Sequence, residues 1–264
     1  MGKKMKNAPV YFTVAQVRFN PVLNMEGYLP TIQERMRAAH FPDFKRETIQ
    51  RLILPFASPS DVSQPPKPSF APQAHCIFGN IEATTEFVLE NNAIALQTTA
   101  YDTSDTFFTM LLDGLGIIHD ALRLDFTERV GLRYFDAVLP KSNESLSDYL
   151  TSEVLGLSHK IGDKLSYSYS ETVTMNASGQ LVSRVIVQDG RVGLPPEVMA
   201  LAPRINSRFT EPEGRHAILD TDAFYEQREA FSLEKIGSKL VALHAEIRKS
   251  FKATVTPFAI TAWE

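Results

Sequence analysis

Hydrophobic and polar positions along the chain follow two periods, one of two residues and one near 3.6, and their succession marks out the elements. Val10–Phe19 sets Val10, Phe12 and Val14 on one face and Tyr11, Ala15, Val17 and Phe19 on the other. That predicts a strand apolar on both sides, ended by Asn20-Pro21 because proline lacks a backbone donor. Leu29, Ile32, Met36 and Ala39 recur at helical spacing and predict a helix over 26–39. A strand over 48–54 comes next, and the six prolines of 55–72 predict an exposed loop. Residues 75–89 and 93–101 read as a hairpin about Glu90-Asn91-Asn92. Thr103 or Ser104 caps the following helix, whose stripe is Phe108, Leu111, Leu112, Leu115, Ile118 and Leu122. Gly114 and Gly116 weaken that helix intrinsically and predict close packing against a sheet.

The second half opens with a strand over 126–139 and a helix over 145–155. Residues 165–175 then alternate most cleanly, with Leu165, Tyr167, Tyr169, Val173 and Met175 opposite a row of serines and threonines. In that apolar company the two tyrosines are expected in the core, and the Ser/Thr face suits an edge or partner contact. Asn176–Gly179 predicts a turn, 180–188 its partner strand and 217–224 another. In the last helix Ser232 is the expected cap, Phe231 staples onto Ile236, and Ile236, Leu240, Leu243, Ile247 and Phe251 form the buried stripe before Pro257.

The order is therefore strand, helix, three strands, helix, and the same six again. The expected fold is α+β, antiparallel sheets with helices packed on one face, built as two pseudo-repeated β-α-β-β-β-α units. The units are residues 1–124, containing the 55–72 loop, and 125–264, within one compact chain. No sequence identity links the halves, so the repeat is one of architecture.

The formal net charge of -4 weighs against a general nucleic-acid binder, although it leaves a local basic face open. A single cysteine, Cys76, excludes an intrachain disulfide framework and fits a reducing compartment. The basic N-terminus precedes an alternating segment rather than a continuous apolar one, Lys6 stands where a myristoylation signal needs Ser or Thr, and no run is long enough to span a bilayer. A cytoplasmic protein with no membrane contact is the expectation.

The histidines, His40, His75, His119, His159, His216 and His244, form no HxxxH pair, and no phosphate loop or GxSxG element is present. No cofactor is called for, and the balance is against an enzyme. Two constellations rise above this background. In Arg129–Tyr134, Arg129 and Arg133 share a strand face with Gly131 between them, an opening for a planar phosphate or carboxylate. On 216–222, His216, Asp220 and Asp222 share a face and could hold a divalent cation. If the two strands are neighbours, an arginine of the first pairs instead with an aspartate of the second.

The segments PVYFTVAQVRFNPV, ALQTTAYDTSDTFFTML, RVGLRYFDAVLP, LDTDAF and LVALHAEIRKSFKATVT occur in that order. From Pro9 to Thr256 the chain resembles a sporadically distributed prokaryotic family of uncharacterised proteins, with Arg129–Tyr134 the most specific piece. Phe135-Asp136 departs from the more polar continuation the family suggests. The resemblance implies no activity; its patchy distribution implies a mobile defence or toxin–antitoxin setting. Three functions fit these features. The first is a binding protein acting through a protein partner. The second is an enzyme or sensor taking a phosphorylated small molecule or nucleotide at Arg129 and Arg133, and the third is a saddle-like sheet that binds nucleic acid.

Overall fold

The alternating segments of both halves join one antiparallel sheet. It is seen in a computed structural model that describes residues 6–53, 69–161, 165–199 and 202–264. The first half runs β1 (Val10–Phe19), α1 (Met25–Ala38), β2 (Asp43–Ile53), β3 (Ser69–Gly79), β4 (Thr85–Leu89), β5 (Ala93–Thr98) and α2 (Ser104–Leu122). The second runs β6 (Phe126–Val138), α3 (Leu146–Tyr149), α4 (Ser152–Leu155), α5 (Ser158–Ile161), β7 (Ser168–Asn176) and β8 (Gly179–Arg191). It closes with α6 (Pro196–Met199), α7 (Ser207–Thr210), β9 (Glu213–Ala230), α8 (Leu233–Thr254) and α9 (Pro257–Trp263). The fold is α+β.

Among the described residues nine strands lie in the order β2-β3-β4-β5-β1-β6-β9-β8-β7. The opening strand of each half therefore meets the other at the centre, with Val14 opposite Arg133 and Gln16 opposite Gly131. The first half carries four strands after its helix, not three, because 75–89 divides. Asn80 is the reason: its side-chain oxygen accepts from the backbone N–H groups of Thr84 and Thr85 at 2.9 and 3.0 Å, and Ala83 takes φ 53. Of the proline-rich 55–72, residues 69–72 belong to β3 and the rest lie outside the described residues.

Helices α1, α2 and α8 cover one face over Ala15, Val17, Phe19, Phe87, Leu96, Val130 and Leu132. Thr103 caps α2 by accepting from the Thr106 N–H, and Ser232 caps α8 by accepting from the Lys235 N–H. Leu111, Leu115 and Ile118 of α2 are fully buried, each contributing about 2 kcal/mol of transfer free energy. A Cβ at Gly114 would enter the Phe87 ring, so glycine lets the helix lie on β4; at Gly116 it would meet only Leu233, at 3.8 Å. Phe231 stacks on the His119 ring, centroids 4.2 Å apart. The helix expected over 145–155 is two single turns, broken where Leu150 bridges to Val255. A smaller cluster of Val138, Leu146, Tyr149, Val187, Leu219 and Trp263 continues the same layer under α3 and α9.

The opposite face has one end crossed by 192–199 and 202–210, a strap between β8 and β9 whose helices are the single turns α6 and α7, while the long helices keep to the first face. Val192 and Phe209 pack there on Tyr11, Phe12, Phe135 and Ile218. Tyr11 donates to the Gly193 carbonyl at 2.8 Å, and the Arg204 carbonyl accepts from Thr99 at 2.8 Å, which anchors the strap to β5's end. Among the described residues no helix is long and apolar enough to cross a membrane.

Candidate functional site

Because β6 pairs with β9 in a register that sets Arg133 opposite Asp222 and Arg129 opposite Glu226, both sequence constellations reach one patch of the strap-bearing face. Within it Arg133 donates twice to Asp220, Nε to Oδ1 at 2.7 Å and Nη2 to Oδ2 at 2.8 Å. Arg184 of β8 donates to Asp220 Oδ2 at 3.2 Å and to Glu171 of β7 at 2.7 Å. The result is a chain of alternating charge, Glu171–Arg184–Asp220–Arg133, across four strands, with Asp220 only 1% exposed. Arg133 also lies over the Phe135 ring at 4.6 Å.

Arg129 has a different environment. Its guanidinium lies over Phe224 at 4.5 Å and donates to Gln16 Oε1 at 3.4 Å. A Cβ on Gly131 would sit 2.7 Å from Arg129 Nη1, so the notch left by the glycine is filled by the arginine itself. Burial lowers the pKa of Arg129 and raises that of Asp222, the latter opposed by Arg129 and Arg133 nearby. Directly across from Arg129 stands Arg18 of β1, which the sequence reading missed. Neither makes an ion pair within 4.0 Å among the described residues.

The cation-binding group does not assemble. His216 contacts Gln188 through Nε2 at 3.3 Å and the Gly214 carbonyl through Nδ1 at 3.0 Å, while Asp220 is held by arginines. Among the described residues no three His, Cys, Asp or Glu side chains converge for a metal. On the patch the arginines are met by Glu171, Asp220, Asp222 and Glu226, so no continuous positive stripe for a nucleic-acid backbone forms there.

On the helix-covered side, Asp136 is buried at the Phe135-Asp136 step, its carboxyl pushed up to about 7 by burial alone. Nearby Tyr134 donates to the Tyr101 hydroxyl at 2.9 Å, and Thr13 Oγ1 is buried without a partner among the described residues. A cleft of about 480 Å³ under α3 is walled by Leu146, Leu155, Leu165 and Val187. Arg215 at its rim is already held by Asp189 at 2.8 Å.

The edge of the sheet beyond Glu171 is the least expected feature. The tyrosine-bearing face of β7 is not core: Tyr167 is 69% exposed, Tyr169 51%, Val173 51% and Met175 79%. No described element packs over these side chains, and because β7 is the last strand its outer edge has no neighbouring strand among the described residues. The Asn176–Gly179 pair closes a two-residue turn and is hydrogen-bonded, so even-numbered residues of β7 bond to β8. The N–H and C=O groups of Tyr169, Glu171, Val173 and Met175 therefore point outward. The other outer strand, β2, carries five charges in eleven residues, whereas β7 carries only Glu171 and neither proline nor bulge. Charge, proline and bulges are the usual protections of a free edge, and β7 has almost none. No protein-family model matches the chain, and no curated protein matches it.

Proposed function

We propose that the protein is a binding module that takes a protein partner by strand addition along β7. The observation that supports this most is the regular, weakly protected edge of β7, whose outward backbone groups belong to Tyr169, Glu171, Val173 and Met175, three of them with exposed apolar side chains. Main-chain hydrogen bonds would supply the pairing, with Tyr169, Val173 and Met175 giving apolar contact beside it. The self-neutralised Glu171–Arg184–Asp220–Arg133 chain stiffens the strands behind that edge rather than presenting charge. Through the family resemblance, the reading extends to a cytoplasmic partner within a mobile defence or toxin–antitoxin module.

The test is affinity purification from the native host with two variants beside the parent. Val173→Pro removes an outward N–H without touching the β7–β8 ladder, which an edge strand tolerates. A stoichiometric protein that co-purifies with the parent and with Arg18→Gln, and is lost from Val173→Pro, is the expected result. Retention of that protein by Val173→Pro sinks the reading.

Anion recognition is a second reading, supported by Arg18 and Arg129 facing each other without a carboxylate at ion-pair distance among the described residues. Like charges directly opposite on neighbouring strands repel, and a bound anion would relieve that. Phosphate that stabilises the parent but not Arg129→Gln would support it, and equal shifts in both would dismiss it.

A further inference from the structure

The β7 edge has a property that the strand-addition reading, on which this inference rests, does not require: it is complementary to itself. We infer that the partner strand is β7 of a second copy of this chain, paired antiparallel about a two-fold axis through Thr172. Outward backbone groups belong to Tyr169, Glu171, Val173 and Met175. In a two-fold antiparallel pair these must face one another, so only a few registers are open. Centring on Thr172 sets Tyr169 against the second copy's Met175 and Glu171 against its Val173. All four residues of each copy are then paired.

Centring one residue earlier would put Glu171 against its own copy, a like-charge pair, and would leave Met175 unpaired. Centring one residue later would leave Tyr169 unpaired. The favoured register instead makes an aromatic–thioether contact of Tyr169 with Met175 on the strap-bearing side. Glu171 stays neutralised by Arg184 of its own chain. On the helix-bearing side it brings Thr172 to Thr172 and Ser170 to Thr174, cross-strand hydroxyl pairs of the kind that stabilise sheets. Both Ser/Thr and apolar rows of the strand are thereby used, and the two nine-stranded sheets become one of eighteen strands with its long helices on one side. A foreign strand would have to reproduce this pattern of apolar, acidic, apolar and thioether positions, whereas a second copy carries it already.

The register is tested by crosslinking. Across a non-hydrogen-bonded pair the Cα atoms stand about 4.5 Å apart, within disulfide reach, so Thr172→Cys should link to itself under mild oxidation. Ser170→Cys should not, because the two copies of residue 170 lie about 14 Å apart, four residues along the strands. Cys76 is buried and serves as the silent background. Sedimentation of the unmodified chain over roughly 1 to 500 μM should show a monomer–dimer equilibrium, since an interface this small is weak, and Val173→Pro should abolish it. A chain that stays monomeric throughout, or Thr172→Cys linking no faster than Ser170→Cys, overturns the inference. A synthetic peptide of residues 167–177 separates the two levels. If it protects the outward amides of β7 while the chain stays monomeric, strand addition stands and self-pairing falls; if it does not bind, self-pairing falls, and strand addition by another protein is decided by the Val173→Pro co-purification.

Discussion

Replacing Arg133 with methionine asks whether the arginine cluster is structural. The substitution keeps an unbranched apolar stem over Phe135 and removes both bonds to Asp220. Asp220 is 1% exposed and would retain only Arg184, at 3.2 Å. Removing one partner of a buried pair typically destabilises by about 3 to 5 kcal/mol, and the surviving Arg184 contact places the expectation near the lower end, about 3 kcal/mol. For a chain of this size that lowers Tm by roughly 6 to 12 °C. Chemical denaturation of the parent, Arg133→Met, Asp220→Leu and the double variant closes a cycle. The double variant should recover about 2 kcal/mol or more relative to the sum of the singles, because no buried charge is left unpaired. Arg133→Met within about 0.5 kcal/mol of the parent, or simple additivity, would refute the argument that this pair holds the sheet together.

Asp136 predicts a pH dependence of the opposite sign to an ordinary salt-bridged carboxylate. Burial raises its pKa from 3.8 to about 7, so between those values the folded chain holds a proton the unfolded chain has lost, and stability falls as pH rises. At about 1.4 kcal/mol per pH unit the full effect is about 4 kcal/mol, so Asp136→Asn should stabilise at pH 8 and change little at pH 4; equal effects at both would contradict this. The two glycines of α2 should also part. Gly114→Ala should destabilise by about 1 to 3 kcal/mol through collision with Phe87, whereas Gly116→Ala should stabilise by up to about 1 kcal/mol, both read by thermal denaturation.

Elements decided by local chemistry were legible in the sequence. The Thr103 and Ser232 caps, the α8 stripe of Ile236, Leu240, Leu243 and Ile247, and the Asn176–Gly179 turn stand where spacing and turn residues put them, while Phe251 at the stripe's end is only half-buried. Breaks made by other means were not. The gap between β3 and β4 uses an asparagine side chain in place of glycine or proline, and the break at Leu150 is imposed by Val255, about a hundred residues away. The strap escaped notice because its apolar residues follow neither period. For the patch, shared strand faces were readable, but only the neighbours of each strand decide that Arg133 finds Asp220 and that Arg129 fills the Gly131 notch. The exposure of Tyr169 and Val173 has the same origin: alternation looks alike on a covered face and a bare one, and what differs is that the strap packs on Tyr11, Phe12, Phe135 and Ile218 and not on β7.

Strand addition at β7 makes a residue-by-residue statement about amide exchange. In dilute chain the amides of Ser170, Thr172 and Thr174, bonded to β8, should be protected, and those of Tyr169, Glu171, Val173 and Met175 should exchange freely. Protection of those four alone, appearing as a partner chain or a second copy is added, is the predicted result. If the partner binds and these amides keep exchanging freely, it sits elsewhere and the account of β7 as the docking edge is wrong.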